Sequence, residues 1–389
     1  MGPVTLANSS SARTDTVKEL TAGDPAPLFV QRSKSNPSLA IDGAAGRYIV
    51  LCFFGGARDP HAKAAIKAAM ERQDIFDDQH ASFFGVSQDT DDEASGRRID
   101  RLPGMRYVWD FNGQVAALYG APLKVNANES ASASRRWVLI DPMMRVIANI
   151  PFREDGGDIA EVIGMLEAFA PPECYTGEEL QAPIIVLPRV FEPALCRELV
   201  KRYDVNGGQE SGFMREVDGR TVGVFDHGFK QRKDYVVDDK ALIGRVHMCF
   251  KRRVAPQIAK AYQFTATRME RHVVSCYAAE EGGHFAAHRD NTTAGTAHRR
   301  FAVSINLNDD FDGGEVSFPE FGPRSFKAPV GGAVVFSCSL LHSVSRVTRG
   351  RRYAFLPFLY DEAAAQIRLR NAGLVERPTT PRPVAAVSG

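Results

Sequence analysis

Apolar residues recur with two different rhythms along this chain. Near the start, the unbroken apolar run Tyr48–Phe54 predicts a buried strand, and the alanine-rich stretch Ala62–Arg72 predicts a helix after a Gly-Gly break. A second strand is expected over Ser82–Ser87, then a hairpin of Trp137–Asp141 and Val146–Ile150 around Pro142. An amphipathic helix follows over Ile159–Phe169. Beyond Ala170-Pro171-Pro172-Glu173 the pattern changes. Ile184–Val190 is strand-like, while Pro193–Arg202 and Lys240–Ala261 carry helical apolar spacing. Ala302–Leu307, Ala333–Phe336 and Tyr353–Tyr360 are short apolar runs separated by Gly, Asn, Asp and Pro, as short antiparallel strands require. Between the two helices the chain is polar and glycine-rich (213–239), which predicts a mobile flap over a pocket. Lys230, Arg232 and Asp234 are expected to be solvated there, the alternative being contact with a substrate.

These rhythms predict two domains, 19–171 and 183–370, joined by a linker over 172–182, with 1–18 and a proline-rich tail at 371–389 disordered. A chain of 389 residues is long enough for two hydrophobic cores. A net charge of +1 supplies no basic field, so nucleic acid is not expected as a partner. No apolar run reaches membrane-spanning length, and no charged head precedes an apolar run at the N-terminus; a cytoplasmic protein is expected. The six cysteines (52, 174, 196, 249, 276 and 338) include no Cys-x-x-Cys, so reduced, mostly buried thiols are expected rather than zinc ligands or disulfides.

Candidate chemistry concentrates between Cys276 and Asp361. His288 and Asp290 are two apart, a spacing that sends both side chains to one face of an extended strand. With 47 acidic residues and nine histidines in the chain, about one such pair arises by accident, so the pair alone is weak. The Gly282-Gly283 turn before it and the strand-like runs after it strengthen it, and His342 lies downstream. Two imidazoles and a carboxylate on one side of a metal leave open positions opposite, the arrangement of non-haem Fe(II) oxygenases.

Tyr277, His288, Asp290, Leu307-Asn308, Gly313-Gly314-Glu315, Phe318-Pro319, His342, Gly350 and Arg352 occur in the order found in a known family. Over roughly 183–365 the chain resembles the 2-oxoglutarate- and Fe(II)-dependent oxygenases, in their prolyl-4-hydroxylase-like branch. The resemblance implies a double-stranded β-helix (jelly roll) with supporting helices. It implies Fe(II) on His288, Asp290 and His342, with 2-oxoglutarate and O2 at the remaining positions. Arg352 would pair fork-to-fork with the distal carboxylate of 2-oxoglutarate, and Tyr277 would reach the co-substrate. Strand alternation puts Arg351 on the opposite face from Arg352, and His342 and Arg352 are expected on opposite arms of one hairpin with Thr348–Gly350 at its tip. The family often has a second tyrosine where Phe285 stands; His284 is expected at the pocket rim or in a structural role. Related iron halogenases have a small residue at the Asp290 position, so the carboxylate points to hydroxylation. The implied reaction oxidises an unactivated C–H bond of a protein residue, amino acid or small metabolite, with 2-oxoglutarate becoming succinate and CO2. Ascorbate is implied as a reductant.

The first domain has the strand–helix–strand, hairpin and terminal-helix layout of a thioredoxin-like fold, α/β in class. Gly23-Asp-Pro-Ala-Pro27, the strand ending Phe53-Phe54, and RRWVLIDP resemble the peroxiredoxins. That family places its peroxidatic cysteine in the first turn of the helix after the strand, its thiolate steadied by an arginine. Here His61 and Ala62 stand near that place, and Cys52 lies within the strand. The domain is therefore expected to be non-catalytic, acting as a scaffold that forms a homodimer or as a platform for a substrate protein. Two further readings of the whole chain are a non-catalytic iron/2-oxoglutarate sensor and a thiol-dependent antioxidant protein.

Overall fold

The structure, a computed structural model, describes residues 20–96, 100–121, 135–217 and 219–376. The stretches expected to be disordered at 1–18 and from 377 onward lie outside the described residues. The chain divides into two compact units between Glu179 and Leu180, inside the expected linker.

The first unit is built on a five-stranded sheet ordered β3-β2-β1-β4-β5: β1 (Tyr48–Gly55), β2 (Ala81–Ser87), β3 (Met105–Trp109), β4 (Arg136–Ile140) and β5 (Val146–Pro151). The pairs β1–β2 and β2–β3 are parallel, whereas β1–β4 and β4–β5 are antiparallel. All of β1 and β2 is buried, which is why they appear as near-continuous apolar runs rather than alternating ones. Helix α1 (Pro60–Glu71) starts where Asp59 accepts the Ala62 N–H and Pro60 occupies the first turn. Helix α2 (Gly157–Ala168) closes the unit, sending Val162 and Leu166 into the same core as Ala62, Ile66 and Cys52.

Cys52 is fully buried, and burial pushes its thiol well above the ordinary value. At the first turn of α1, His61 Nε2 lies 3.0 Å from Asp158 Oδ2, which also accepts from Trp137 Nε1 at 2.7 Å. The Arg135 guanidinium pairs with Asp59, so the cation at this helix start already has a carboxylate partner from the chain itself. Ala62 is fully buried in the same core as Cys52, so a thiol installed by Ala62→Cys is expected to titrate above the unperturbed ~8.5, and adding Asp59→Ser, which keeps a cap but frees Arg135, is expected to lower that value by about one unit. Alkylation rate against pH measures both.

The second unit has three β-sheets, a small three-stranded one and two larger ones, with helices packed on the largest. The larger of these two runs β12-β21-β15-β20-β13-β11-β7, with β18 paired to β15 and β6 to β18. Its strands are β6 (Ile185–Leu187), β7 (Gln209–Glu210), β11 (Lys233–Val236), β12 (Arg268–Glu270), β13 (Val273–Ala278), β15 (Phe301–Asn306), β18 (Ala333–Ser337), β20 (Arg351–Phe355) and β21 (Phe358–Tyr360). The smaller runs β10-β14-β19-β16-β17, formed by β10 (Lys230–Gln231), β14 (His284–His288), β16 (Val316–Ser317), β17 (Ser325–Phe326) and β19 (His342–Val344). Helix α3 (Pro193–Asn206), α4 (Lys240–Cys249) and α5 (Ala255–Tyr262) cover the larger sheet. Alternation sorts its residues: Val274, Cys276, Val303, Ile305, Tyr353 and Phe355 join Leu195, Leu199, Val246 and Ile258 in one core. Tyr277, Ser304 and Arg352, on the other face, line a cleft with residues of the smaller sheet. The expected single helix over Lys240–Ala261 is interrupted by a π-turn at Phe250–Val254, just before Pro256, which has no N–H to donate.

The segment expected as a flap is instead strand. Besides β10 and β11, a hairpin of β8 (Phe213–Val217) and β9 (Arg220–Val224) fills it, and Lys230 and Arg232 are buried. Polar alternation there reflects short strands whose charged side chains find buried partners. The tail expectation fails over 371–376, because β22 (Val375–Glu376) pairs in parallel with β9 and Val375 packs where a Cβ on Gly295 would meet it at 2.7 Å.

Glu270, at the end of β12, accepts from His298 Nε2 at 2.7 Å and Arg299 Nε at 2.6 Å. Burial alone would push this carboxyl up, but the His298 hydrogen bond and the Arg299 charge outweigh it and bring the pKa from 4.5 down to about 2. A folded-state pKa below the unfolded one stabilises above the unfolded value, and that stability is lost as pH falls through the folded one. Between pH 4.5 and about 2, the parent is therefore expected to lose on the order of 3 kcal/mol more unfolding free energy than Glu270→Gln. Urea titrations of both across that window check it.

Candidate metal centre

Strands β14 and β19 run antiparallel with His288 directly opposite His342, and the two rings lie 4.3 Å apart between centroids. Strand β14 ends at His288, so strand alternation does not bring in Asp290. The backbone turns, Asp290 N–H donates to Cys338 O at 3.0 Å, and the carboxylate swings back to the rings. Its Oδ1 lies 3.6 Å from His288 Nε2 and its Oδ2 3.4 Å from His342 Nε2. One ligand atom from each of the three residues falls within 4.8 Å of the others, and among the described residues no other group of three potential ligands does so.

The chain also sets the tautomers. His288 Nδ1 lies 2.8 Å from Ala286 O, and His342 Nδ1 lies 3.0 Å from Leu340 O. A carbonyl can only accept, so each Nδ1 carries the proton and each Nε2 presents a lone pair towards Asp290. Phe285 stacks on His288 at 3.5 Å and Phe336 lies 4.6 Å from His342, which fixes both rings. Burial, then the neighbouring His288, pushes His342 down to about 4, so its ring is neutral near pH 7. Burial pushes the Asp290 carboxyl up, yet the facing imidazoles, His342 foremost, outweigh it and hold the group well below the usual range. Neutral imidazole and ionised carboxylate are the forms that bind a divalent metal.

Arg352 enters the same cleft from β20, where it pairs across with Tyr277 on β13. Its side chain is 1% exposed. Nε donates to Asn306 Oδ1 at 3.0 Å and Nη2 to Ser304 Oγ at 2.7 Å, both neutral partners, while Nη1 has no hydrogen-bond partner among the described residues. Arg351, by contrast, is exposed and pairs with Glu280. Arg232 Nη1 lies 3.2 Å from the Tyr277 hydroxyl and donates to its oxygen, so the phenolic O–H is left to donate elsewhere. The stem of Arg352 runs past Gly314 (φ +65°), where a Cβ would meet Arg352 Cδ at 2.8 Å.

His342 and Arg352 are not arms of one hairpin. They belong to different sheets, and the segment between them crosses over, with Val347 N–H bonded to Gly283 O at 2.8 Å. Both still line one cleft, which with its open mouth encloses about 500 Å³. Tyr277 is both buried and cleft-lining. His284 bonds to the carbonyls of Gly282 and Gly228 and lies outside the cleft lining. Sequence reasoning missed Ser304 and Asn306, although polar residues two apart inside the apolar run FAVSIN were the signal for a lined pocket. It also missed Arg271, for which no signal existed.

A buried guanidinium with only neutral partners costs stability. Arg352→Met is therefore expected to raise the chain's unfolding free energy by about 1–3 kcal/mol, measured by denaturant titration without added ligands.

Residues 272–360 match the model of the 2OG-Fe(II) oxygenase superfamily, and residues 22–149 match that of the AhpC/TSA family. Curated relatives include the PKHD-type hydroxylase of Paracoccus denitrificans (strain Pd 1222), 43% identical over 84 residues, 19% of this chain and 37% of the relative. The PKHD-type hydroxylase of Synechococcus sp. (strain JA-2-3B'a(2-13)) is 33% identical over 89 residues, 21% of this chain and 39% of the relative. The chain thus spans under half the length of these curated relatives. Among solved structures it is similar to a Trichoplax adhaerens prolyl hydroxylase in complex with a hypoxia inducible factor oxygen degradation domain peptide fragment. That likeness is 16% identical with a TM-score of 0.39, covering 49% of this chain and 87% of that one. It is also similar to a thiol:disulfide interchange protein DsbE of Chlorobium tepidum, 19% identical with a TM-score of 0.30, covering 38% of this chain and 99% of that one. The cleft with His288, Asp290 and His342 thus lies in the segment that matches the 2OG-Fe(II) oxygenase superfamily, a family that uses Fe(II), 2-oxoglutarate and O2, and the segment that matches the AhpC/TSA family falls in the first unit.

Proposed function

We propose that the chain is a 2-oxoglutarate-dependent hydroxylase in which His288, Asp290 and His342 hold Fe(II), while Arg352 and Tyr277 bind the distal carboxylate of 2-oxoglutarate. One observation carries the reading: a two-imidazole, one-carboxylate set shares a cleft with a buried guanidinium that has an unpartnered N–H and no acid of its own. The donor set suits a ferrous ion with open positions, and the unpartnered Nη1 suits a carboxylate. Balanced over substrate, O2 and 2-oxoglutarate, the products are the hydroxylated substrate, succinate and CO2.

When bound, Fe(II) supplies the chemistry that activates O2 towards a C–H bond. The chain's own residues do the rest. The carbonyls of Ala286 and Leu340 hold the Nδ1 protons, so both Nε2 lone pairs face the metal position. Arg352 and the O–H of Tyr277, its oxygen engaged by Arg232, offer donors for one carboxylate end. Phe285 and Phe336 keep the imidazoles from turning and exclude water beside them. Ascorbate would prolong turnover by keeping the iron reduced. With Ala62 where a thiol would act, the first unit serves in this reading as a scaffold for a homodimer.

Under argon, Fe(II) and 2-oxoglutarate added to the chain are expected to give the visible charge-transfer band of a chelated 2-oxo acid. Asp290→Ala and Arg352→Met should each lose it at matched concentrations. In air with labelled O2 and cell extract, the parent and not Asp290→Ala should add one labelled oxygen to a product and form succinate. The absence of both the band and 2-oxoglutarate binding in the parent overturns the proposal.

A further inference from the structure

With the co-substrate assigned as above, positive charge remains in the cleft without a counter-charge. Three guanidiniums line it, those of Arg232, Arg271 and Arg352, against the carboxylate of Asp290 at the metal position. Behind them a single acid, Asp234, serves both Arg232 (2.7 Å) and Arg271 (2.9 Å). Asp234 also accepts from Ser211 Oγ at 2.6 Å and Ser275 Oγ at 2.6 Å, so four donors already converge on it. Neighbouring acid offers no relief, since Glu270 is taken by His298 and Arg299. Fe(II) on Asp290, together with dianionic 2-oxoglutarate and Arg352, sums to neutrality. Arg232 and Arg271 against Asp234 leave one positive charge over, and a buried net charge is costly unless a ligand matches it.

The geometry locates where that match would be made. Among the described residues Arg271 makes one side-chain hydrogen bond, to Asp234, leaving most of its five N–H groups free. Its side chain is 29% exposed at the cleft, unlike those of Arg232 and Arg352. The backbone at Arg271 is left-handed (φ +68°), a conformation costing a non-glycine residue roughly 1 kcal/mol. It turns the chain between β12 and β13 and leaves the guanidinium stacked 5.6 Å from the Phe358 ring. Behind it, the buried Nε–H of Arg232 has no hydrogen-bond partner among the described residues. Phe336, Phe358, Val316 and Leu356 supply apolar wall in the same cleft.

We propose that Arg271, backed by Arg232, binds a carboxylate of the prime substrate, whose apolar body lies along the phenylalanine wall, so that the enzyme hydroxylates a carboxylic acid. The proposal rests on the hydroxylase reading, and the test separates the two. The full chain, loaded under argon with Fe(II) and saturated with 2-oxoglutarate, is titrated by calorimetry with hexanoate and with its uncharged partner hexanamide.

Hexanoate should bind at least about tenfold tighter than hexanamide, the scale of one charge-assisted hydrogen bond, while the charge-transfer band persists. Arg271→Gln should keep the band and lose that preference; Arg271→Lys, which retains the charge, should keep part of it. Equal binding of acid and amide overturns the proposal, as does hexanoate binding that survives Arg271→Gln or that displaces 2-oxoglutarate. Should Arg271→Gln not fold, the acid–amide comparison on the parent and on Arg271→Lys decides. A parent with neither the band nor 2-oxoglutarate binding sinks the hydroxylase reading instead.

Discussion

The antiparallel register of β14 and β19 is the constraint from which the cleft follows. It sets His288 opposite His342, and each ring is then held by a carbonyl two residues earlier on its own chain. Asp290 is tied to this pair through Cys338, the residue just beyond β18, so the smaller sheet and the larger one meet at the carboxylate. A one-residue slip of either strand would turn an imidazole to the opposite face. The apolar residues around the site oppose such a slip: Phe285 and Val344 form the neighbouring cross-strand pair and pack with Tyr277 and Phe311. Packing there holds register first and excludes water second.

Charge in the cleft follows a related logic. Arg352 sits among Ser304, Asn306 and Tyr277, none of which carries a compensating charge, and Arg232 lies against the same tyrosine. Such an arrangement is poor for stability. It is well suited to a dianionic ligand, because the donors are already aimed and desolvated before the ligand arrives. The helices α3 to α5 make this affordable by giving the outer face of the larger sheet a core of its own, in which Leu199, Val246 and Ile258 pack on Val274, Ile305 and Phe355.

Much of this was legible from residue pattern. The buried strands of the first unit showed as unbroken apolar runs, and the facing of Arg352 followed from alternation with Tyr353 and Phe355. The short strands β7 to β11 did not show, because each is only two to five residues long, too short for period to register. Their charged residues looked solvated because a sequence shows each charge and not its partner; Arg232 and Asp234 are buried together, two positions apart. The crossover from β19 to β20 was mistaken for a hairpin for a similar reason. Two strands joined by a glycine-containing loop look alike whether they return to the same sheet or pass to the facing one. Arg271 was invisible altogether, since a left-handed backbone at a non-glycine residue is imposed by tertiary contacts.

The two units treat their buried cations in opposite ways, and the contrast bears on where chemistry belongs. In the first, Asp59 pairs with Arg135 at the start of α1, and Asp158 takes the side chains of His61 and Trp137. The cation that could have steadied an anionic nucleophile is paired with the Asp59 carboxylate, although its Nε–H makes no hydrogen bond among the described residues, and the one thiol nearby, Cys52, lies in a strand with its ionisation suppressed. In the second, guanidiniums outnumber the acids beside them: Arg352 bonds only to neutral side chains, and Arg232 and Arg271 share Asp234. A cation paired with its own carboxylate has little left for a ligand, whereas an excess of one sign keeps interaction energy in reserve for whatever binds. On that physical ground, ligand binding belongs to the cleft beside His288, Asp290 and His342, and the start of α1 belongs to the fold.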